Sequence, residues 1–149
     1  MPDRVELLNL LEQRVAELVE LTASLPDTLV EIYDGWSARD VLGHLTFWHE
    51  SFARNTRDLS LGLKPKPLKG RLMDLNQQGV EEMRAYSLDE VTRRLRAAQR
   101  LISEHILNPL VVMIPYRRGS RDYSAEEHLQ VVSEHIGWHI RDLRKRAFP

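Results

Sequence analysis

Three histidines stand at positions from which their imidazoles could bind one metal ion. His135 and His139 are four residues apart in the segment SEHIGWH, and His44 lies far upstream in the segment GHLTFW. On a helix, residues i and i+4 project from one face, about 6 Å apart along the axis. Two such imidazoles can chelate an ion, and a third from a facing helix would complete a three-nitrogen site that leaves a position for water or substrate.

A purely structural role is the competing interpretation, because buried histidines are often hydrogen-bonded core residues. Spacing alone does not show that the helix carrying His44 touches the helix carrying His135. His49 lies about 140 degrees around the helix from His44, so we expect it to face elsewhere. His128 lies about 10.5 Å along the axis from His135, too far to share an ion, and could line a cavity or hydrogen-bond near the helix start. His105 suits the carboxyl end of a helix.

The elements that would carry these residues are predicted by apolar residues at steps of three and four. The pattern predicts amphipathic helices over residues 3–24, 38–59, 71–84, 88–106 and 125–145. Ser37, Ser87 and Ser124 each precede an acidic residue by three positions, which predicts a capping box at three helix starts. Gly79 weakens the prediction of the 71–84 helix.

The connections complete an all-α prediction. Residues 25–36 read as a connection with a turn at Asp34-Gly35, and residues 107–123 read as a long irregular crossover that could border a pocket. Leu110 to Ile114 is the only strand candidate. We therefore predict one domain over residues 1–149, a four-helix bundle with an extra short helix and a long crossover before the last helix.

Composition narrows the classes of function. The net charge of −1 argues against general nucleic-acid binding, so we interpret the short basic stretches, such as Lys64 to Arg71, as solvated faces. No apolar run approaches the roughly 20 residues that span a bilayer, and the first residues lack the layout of a signal peptide. We therefore expect a cytoplasmic protein by default. With no cysteine, the chain has no disulfide, no thiolate nucleophile and no cysteine ligand.

The two histidine segments resemble those of a known family. The segment GWSARDVLGHL at residues 35–45 resembles the second-helix motif of the DinB-like superfamily of four-helix bundles. The segments DYSAEEHL at 122–129 and HIGWH at 135–139 resemble the last-helix motif of its ClbS/DfsB branch. The resemblance runs essentially end to end, although the first helix is generic. It implies that His44, His135 and His139 bind one divalent metal ion.

The resemblance also implies a class of activity. Better-characterised relatives include transferases that use low-molecular-weight thiols, whereas some members have lost the histidine triad. Three neutral imidazoles suit zinc, nickel, iron or manganese, and spacing does not choose among them. We expect a metal-dependent enzyme that activates a small thiol or water for transfer or hydrolysis on a small molecule. The alternative is a non-catalytic bundle that binds or sequesters a small molecule, with a structural or absent metal.

Two further expectations concern surfaces. Tyr116, Arg117, Arg118 and Tyr123 are candidate pocket contacts, although we favour a solvated loop for all four. Exposed apolar faces on the first or the short helix could pair in a homodimer.

Overall fold

Five helices account for most of the computed structural model, which describes residues 2–148. The helices are α1 (Arg4–Ala23), α2 (Ala38–Ser60), α3 (Leu72–Met83), α4 (Leu88–His105) and α5 (Ala125–Ala147). The strands are β1 (Glu31–Tyr33), β2 (Trp36–Ser37), β3 (Met113–Ile114) and β4 (Tyr123–Ser124). Each helix begins and ends within two residues of its predicted range.

Serine side chains cap the three helix starts at which a capping box was predicted. The capping boxes at the starts of α2 and α5 are complete, with Ser37 and Ser124 as the cap residues. At the start of α4 the predicted box is only half formed: Ser87 accepts a hydrogen bond from the backbone N–H of Glu90, but the Glu90 carboxylate pairs with Arg93. Satisfying these free N–H groups is what makes each start readable from the sequence.

The helices assemble into the predicted all-α four-helix bundle. α1 packs along α5, α2 packs along α4, and α3 lies against α2. A single cluster of buried apolar side chains runs through the bundle. α2 and α5 contact each other only sparsely, which leaves space between them for cavities. Within residues 2–148, no helix is long and apolar enough to cross a membrane.

Two helical glycines explain how closely α3 approaches α2. A Cβ at Gly79 would lie 2.5 Å from Cγ of Phe47, and one at Gly43 would lie 2.8 Å from Cβ of Met83. Gly79 therefore does not interrupt α3, although the low helix propensity of glycine suggested that it might. It allows the two helices to pack.

The expectation of a single strand candidate was wrong. The connection at residues 25–36 contains an antiparallel hairpin of β1 and β2, turning at Asp34 and at Gly35, whose φ is 79°. Of the candidate Leu110 to Ile114, only Met113–Ile114 is a strand, and it pairs with β4. Strands of two or three residues are too short for an alternating pattern to be visible. The first hairpin matters for function because it carries two aromatic residues to the end of the bundle where His44 lies.

Candidate metal centre

The three predicted histidines meet at one point. His44 lies in the second turn of α2, and His135 and His139 lie in α5. One ring nitrogen from each can be chosen so that all three lie within 4.8 Å of one another. The Nε2 atoms of His135 and His139 are 3.0 Å apart. Tetrahedral bonds of about 2.0–2.1 Å to zinc place ligand nitrogens about 3.3 Å apart, so this spacing is close to that of a ligand set.

Burial keeps these imidazoles neutral. Burial, together with the nearby rings of His139 and His135, lowers the pKa of His44 to about 3. Burial and the neighbouring His135 lower the pKa of His139 to about 4, although the Asp142 carboxylate opposes this. Burial lowers the pKa of His135 as well. Near pH 7 all three rings are therefore in the neutral form, which is the form that binds metal ions.

The environment of His44 leaves its imidazole without a competing partner. Its Nδ1 is buried and has no hydrogen-bond partner among residues 2–148. Its ring lies against Trp36, with 4.9 Å between the ring centres. Buried ring nitrogens ordinarily have a partner, so the site can accept a donor or a cation. Three neutral imidazoles fit a borderline divalent metal such as zinc, nickel, iron or manganese.

Two residues that the sequence reasoning missed orient His139. The Tyr33 hydroxyl donates a hydrogen bond to Oδ2 of Asp142, and it lies 2.9 Å from Nδ1 of His139. Burial and the Asp142 carboxylate raise the pKa of Tyr33, so the phenol keeps its proton. The Tyr33 oxygen then accepts the proton on Nδ1 of His139, and the lone pair of His139 is left on Nε2, beside His135.

A signal for this pair was present in the sequence. Asp142 follows His139 by three positions, so both side chains share a face of α5. Tyr33 immediately precedes the Asp34-Gly35 turn, and such turns commonly join hairpin strands. No pattern in the sequence indicated that this hairpin packs against α5.

The remaining histidines lie outside the triad, as predicted. Nε2 of His49 is 2.7 Å from Oε1 of Gln99 in α4, so this ring faces away from the triad. Nδ1 of His105, the last residue of α4, is 3.0 Å from Oγ of Ser60. His128 lines a cavity, one of the two alternatives that its position allowed.

Two cavities adjoin the triad. The triad cleft, of about 420 Å³, is lined by the three histidines together with Tyr33, Asp34, Trp36, Trp48, Leu72, Asn76 and Tyr116. The aromatic chamber, of about 300 Å³, lies on the other side of Trp48 and Tyr116 and includes Phe52, Tyr123, His128 and Val132 in its walls. His135, Trp48 and Tyr116 line both cavities. A molecule in the chamber would therefore lie beside the triad.

The preference for a solvated loop at residues 116–123 was wrong for its tyrosines. Tyr116 stacks on Trp48, with 4.9 Å between ring centres and an angle of 24°. Tyr123 lies in β4, whose pairing with β3 turns its ring toward the chamber. Arg117 instead donates to the carbonyl of Gly70 and is not among the residues lining either cavity. Neither is Arg118.

Known structures share this fold at low sequence identity. The mycothiol-dependent maleylpyruvate isomerase aligns with a TM-score of 0.74 and 14% identity over 95% of this chain and 61% of that chain. A protein from Streptococcus pneumoniae aligns with a TM-score of 0.72 and 15% identity over 99% of this chain and 93% of its own. An uncharacterized protein from Clostridium difficile 630 aligns with a TM-score of 0.69 and 14% identity over 97% of each chain. The present chain thus spans about three fifths of the isomerase.

Comparison with curated protein sequences finds none that match. A family profile does match: that of the mycothiol maleylpyruvate isomerase N-terminal domain, over residues 8–106. The matched region includes α2 and His44, whereas α5, with His135 and His139, lies beyond it. The match covers well over half of the sequence, and the structural matches share the DinB-like bundle. The chain therefore belongs to the family of the mycothiol maleylpyruvate isomerase N-terminal domain.

Proposed function

We propose that His44, His135 and His139 bind one divalent metal ion, and that the protein is a thiol-dependent enzyme acting on a small molecule. The observation that carries the proposal is the convergence of three neutral ring nitrogens within 4.8 Å, in the lining of a cleft. A divalent ion held there supplies Lewis acidity, which lowers the pKa of a thiol or of water. Zinc, nickel, iron and manganese all suit the donor set.

The chain's own residues prepare the site for such an ion. Tyr33 and Asp142 hold the proton of His139 on Nδ1, so that Nε2 faces the other two rings. Partners of this kind fix the orientation of metal-binding histidines in proteins. Trp36 covers one side of His44 and, like Trp48, lines the triad cleft, where water is displaced when a substrate enters.

A thiolate nucleophile has to come from outside this sequence. There is no cysteine in it, and we propose a low-molecular-weight thiol as the source. The family description names one such thiol, mycothiol, for a relative. Water, for hydrolysis, is the second nucleophile that the same site would activate. Within the superfamily we propose the ClbS/DfsB branch, on the last-helix motif at residues 122–139.

The test compares the wild type with His135→Ala and with the control His105→Ala, whose side chain lies outside the triad. We expect about one equivalent of metal per chain by elemental analysis for the wild type and the control, and little for His135→Ala. Mycothiol, cysteine and glutathione are then offered with the fluorogenic electrophile monochlorobimane. Metal-dependent conjugation should be lost in His135→Ala and retained in His105→Ala.

Three outcomes separate the alternatives. Equal conjugation by wild type and His135→Ala would rule out a catalytic triad. Metal bound without turnover on any thiol or hydrolysable ester would favour the non-catalytic binding protein. A wild-type chain that retains no metal after incubation with each of the four ions would overturn the metal site itself.

A further inference from the structure

The aromatic chamber has walls that suit a flat apolar group. On one side Trp48 stacks on Tyr116, and deeper in the chamber Phe52 stacks on His128 with 4.2 Å between ring centres. α5 contributes the aliphatic side chains of Val131, Val132 and Ile136 to the lining, together with the rings of His128, His135 and the largely exposed Trp138. Its volume of about 300 Å³ is at the lower end of small-molecule pockets, which places an upper limit of about one or two rings on its occupant.

One polar side chain in the chamber wall lacks a hydrogen-bond partner. His128 lines the chamber and is only 5% exposed, and its buried Nδ1 makes no hydrogen bond within residues 2–148. Burial, together with the nearby His49, lowers the pKa of His128 to about 4, so the ring is neutral near pH 7. A neutral imidazole can donate or accept one hydrogen bond, and leaving it unmade is costly.

The chamber contains no positive charge that could receive an anion. None of the lining side chains is a lysine or an arginine. Arg121 stacks on the Tyr123 ring at 3.8 Å, but it is not part of the lining. The single carboxylate in the lining, Glu134, belongs to an exposed residue. Burying an unpaired carboxylate in such a space costs several kcal/mol or more, so an anionic ring would be rejected.

Aromatic walls can also bind quaternary ammonium ions, but this arrangement does not favour one. Such ions are held where several ring faces converge on one point. Here Trp48 and Tyr116 cover each other's faces, as do Phe52 and His128. Of the α5 residues in the lining, Val131, Val132 and Ile136 are aliphatic, and Trp138 is 59% exposed.

We propose that the aromatic chamber binds the uncharged ring of the substrate, a phenol-like group whose hydroxyl, or an equivalent neutral polar group, hydrogen-bonds to His128. The inference rests on the proposed function in one respect: the molecule that the chamber binds is the substrate that reacts at the triad. The chamber adjoins the triad through His135, which lines both cavities. The inference names the substrate class as a neutral hydroxylated aromatic molecule rather than a carboxylic acid.

The test measures binding of matched fluorinated probes by ¹⁹F NMR titration on the full chain, both metal-loaded and treated with EDTA. We expect 4-fluorophenol to bind at least about tenfold more tightly than 4-fluorobenzoate, because the chamber lacks a partner for a carboxylate. The preference should persist in the EDTA-treated protein. Excess tetramethylammonium should not displace 4-fluorophenol.

Two variants locate the binding. Val132→Phe fills the chamber and should abolish 4-fluorophenol binding, whereas Val112→Phe makes the same change at an exposed residue outside it and should not. His128→Phe keeps the stacked ring and removes the polar atom. It should weaken 4-fluorophenol binding by roughly fivefold to tenfold, the range for one lost hydrogen bond, while leaving fluorobenzene unaffected. Should Val132→Phe fail to fold, the His128→Phe comparison still decides.

The proposal is overturned if 4-fluorobenzoate binds as tightly as 4-fluorophenol, if tetramethylammonium competes, or if Val132→Phe folds and binds normally. Binding of 4-fluorophenol that occurs only in the metal-loaded protein would also overturn it, because the probe would then sit at the triad. If only the proposed metal site is wrong, the result is different: the chain binds no metal, yet the EDTA-treated protein still prefers 4-fluorophenol to 4-fluorobenzoate.

Discussion

The position of a single proton decides whether His139 can serve as a ligand. Nε2 of His139 faces Nε2 of His135 at 3.0 Å, so the pair can share either a proton or a cation. Sharing a cation requires a lone pair on both atoms. The Tyr33 oxygen, held by its own hydrogen bond to Asp142, keeps the His139 proton on the other ring nitrogen. The Tyr33 hydroxyl thus leaves Nε2 of His139 with the lone pair that a metal ion requires.

Replacing Tyr33 with phenylalanine should therefore weaken metal binding without unfolding the protein. Phenylalanine keeps the edge-on packing against the His139 ring, whose centre lies 5.6 Å away, and removes only the oxygen. Loss of such an orienting partner typically lowers metal affinity by about 10- to 100-fold. Competition with a chromogenic chelator measures this affinity.

The matched control is Tyr123→Phe, which removes a hydroxyl from the chamber and leaves Tyr33 in place. It should bind metal with wild-type affinity. Wild-type affinity in Tyr33→Phe itself would show that the Tyr33–Asp142 pair has no part in preparing His139.

The three histidines of the triad were predicted from the sequence, but Tyr33 and Asp142, which orient His139, were not. His135 and His139 are readable because their spacing matches the helical repeat, and His44 followed from the resemblance of its segment to a family motif. The role of Tyr33 instead depends on the packing of the short hairpin of β1 and β2 against α5. The assignment of the three histidines as metal ligands stays a prediction until metal is measured.

At the level of elements, the starts of α2, α4 and α5 were predictable because each is encoded locally. A serine followed three residues later by an acidic residue satisfies free N–H groups wherever the helix later packs. The strands are too short for an alternating pattern to be visible, so β1, β2 and β4 were missed although the turn at Asp34-Gly35 was predicted. Gly79 shows the reverse case, a residue whose local propensity was misleading because its role is to let α3 approach Phe47 of α2.

Two glycine-to-alanine variants separate propensity from packing. Gly79→Ala places a Cβ 2.5 Å from the Phe47 ring and should lower the free energy of unfolding by about 1–3 kcal/mol, the usual cost of overpacking. Gly137→Ala, within α5, meets only Nε of Arg14 at an ordinary 3.6 Å. It should raise stability by about 0.5–1 kcal/mol, since alanine favours a helix. Urea unfolding in the presence of EDTA measures both, and equal effects of the two substitutions would contradict the packing argument.

For the whole molecule, the decisive feature is that α2 and α5 contact each other only sparsely. The space between them contains the triad cleft and the aromatic chamber, and periodicity in one chain cannot show how far two helices stand apart. The homodimer likewise stays a prediction. Met73 on α3 is 81% exposed, which leaves an apolar side chain on the short helix open to a partner.

Two buried histidines outside the triad, His49 and His128, should make the stability of the protein sensitive to acid. Burial lowers the pKa of His49 and of His128 to about 4, from 6.5 in an exposed ring. Between these values the unfolded chain binds more protons than the folded one, so the free energy of unfolding should fall as the pH drops from about 6.5 to about 4. Each such histidine contributes up to about 1.4 kcal/mol per pH unit.

Urea unfolding at pH 7, 6 and 5, with EDTA present, measures the slope of the free energy of unfolding against pH. His49→Gln should reduce it by about one proton per chain. An unchanged slope in that variant, or equal stability at pH 7 and pH 5 in the wild type, would contradict the argument.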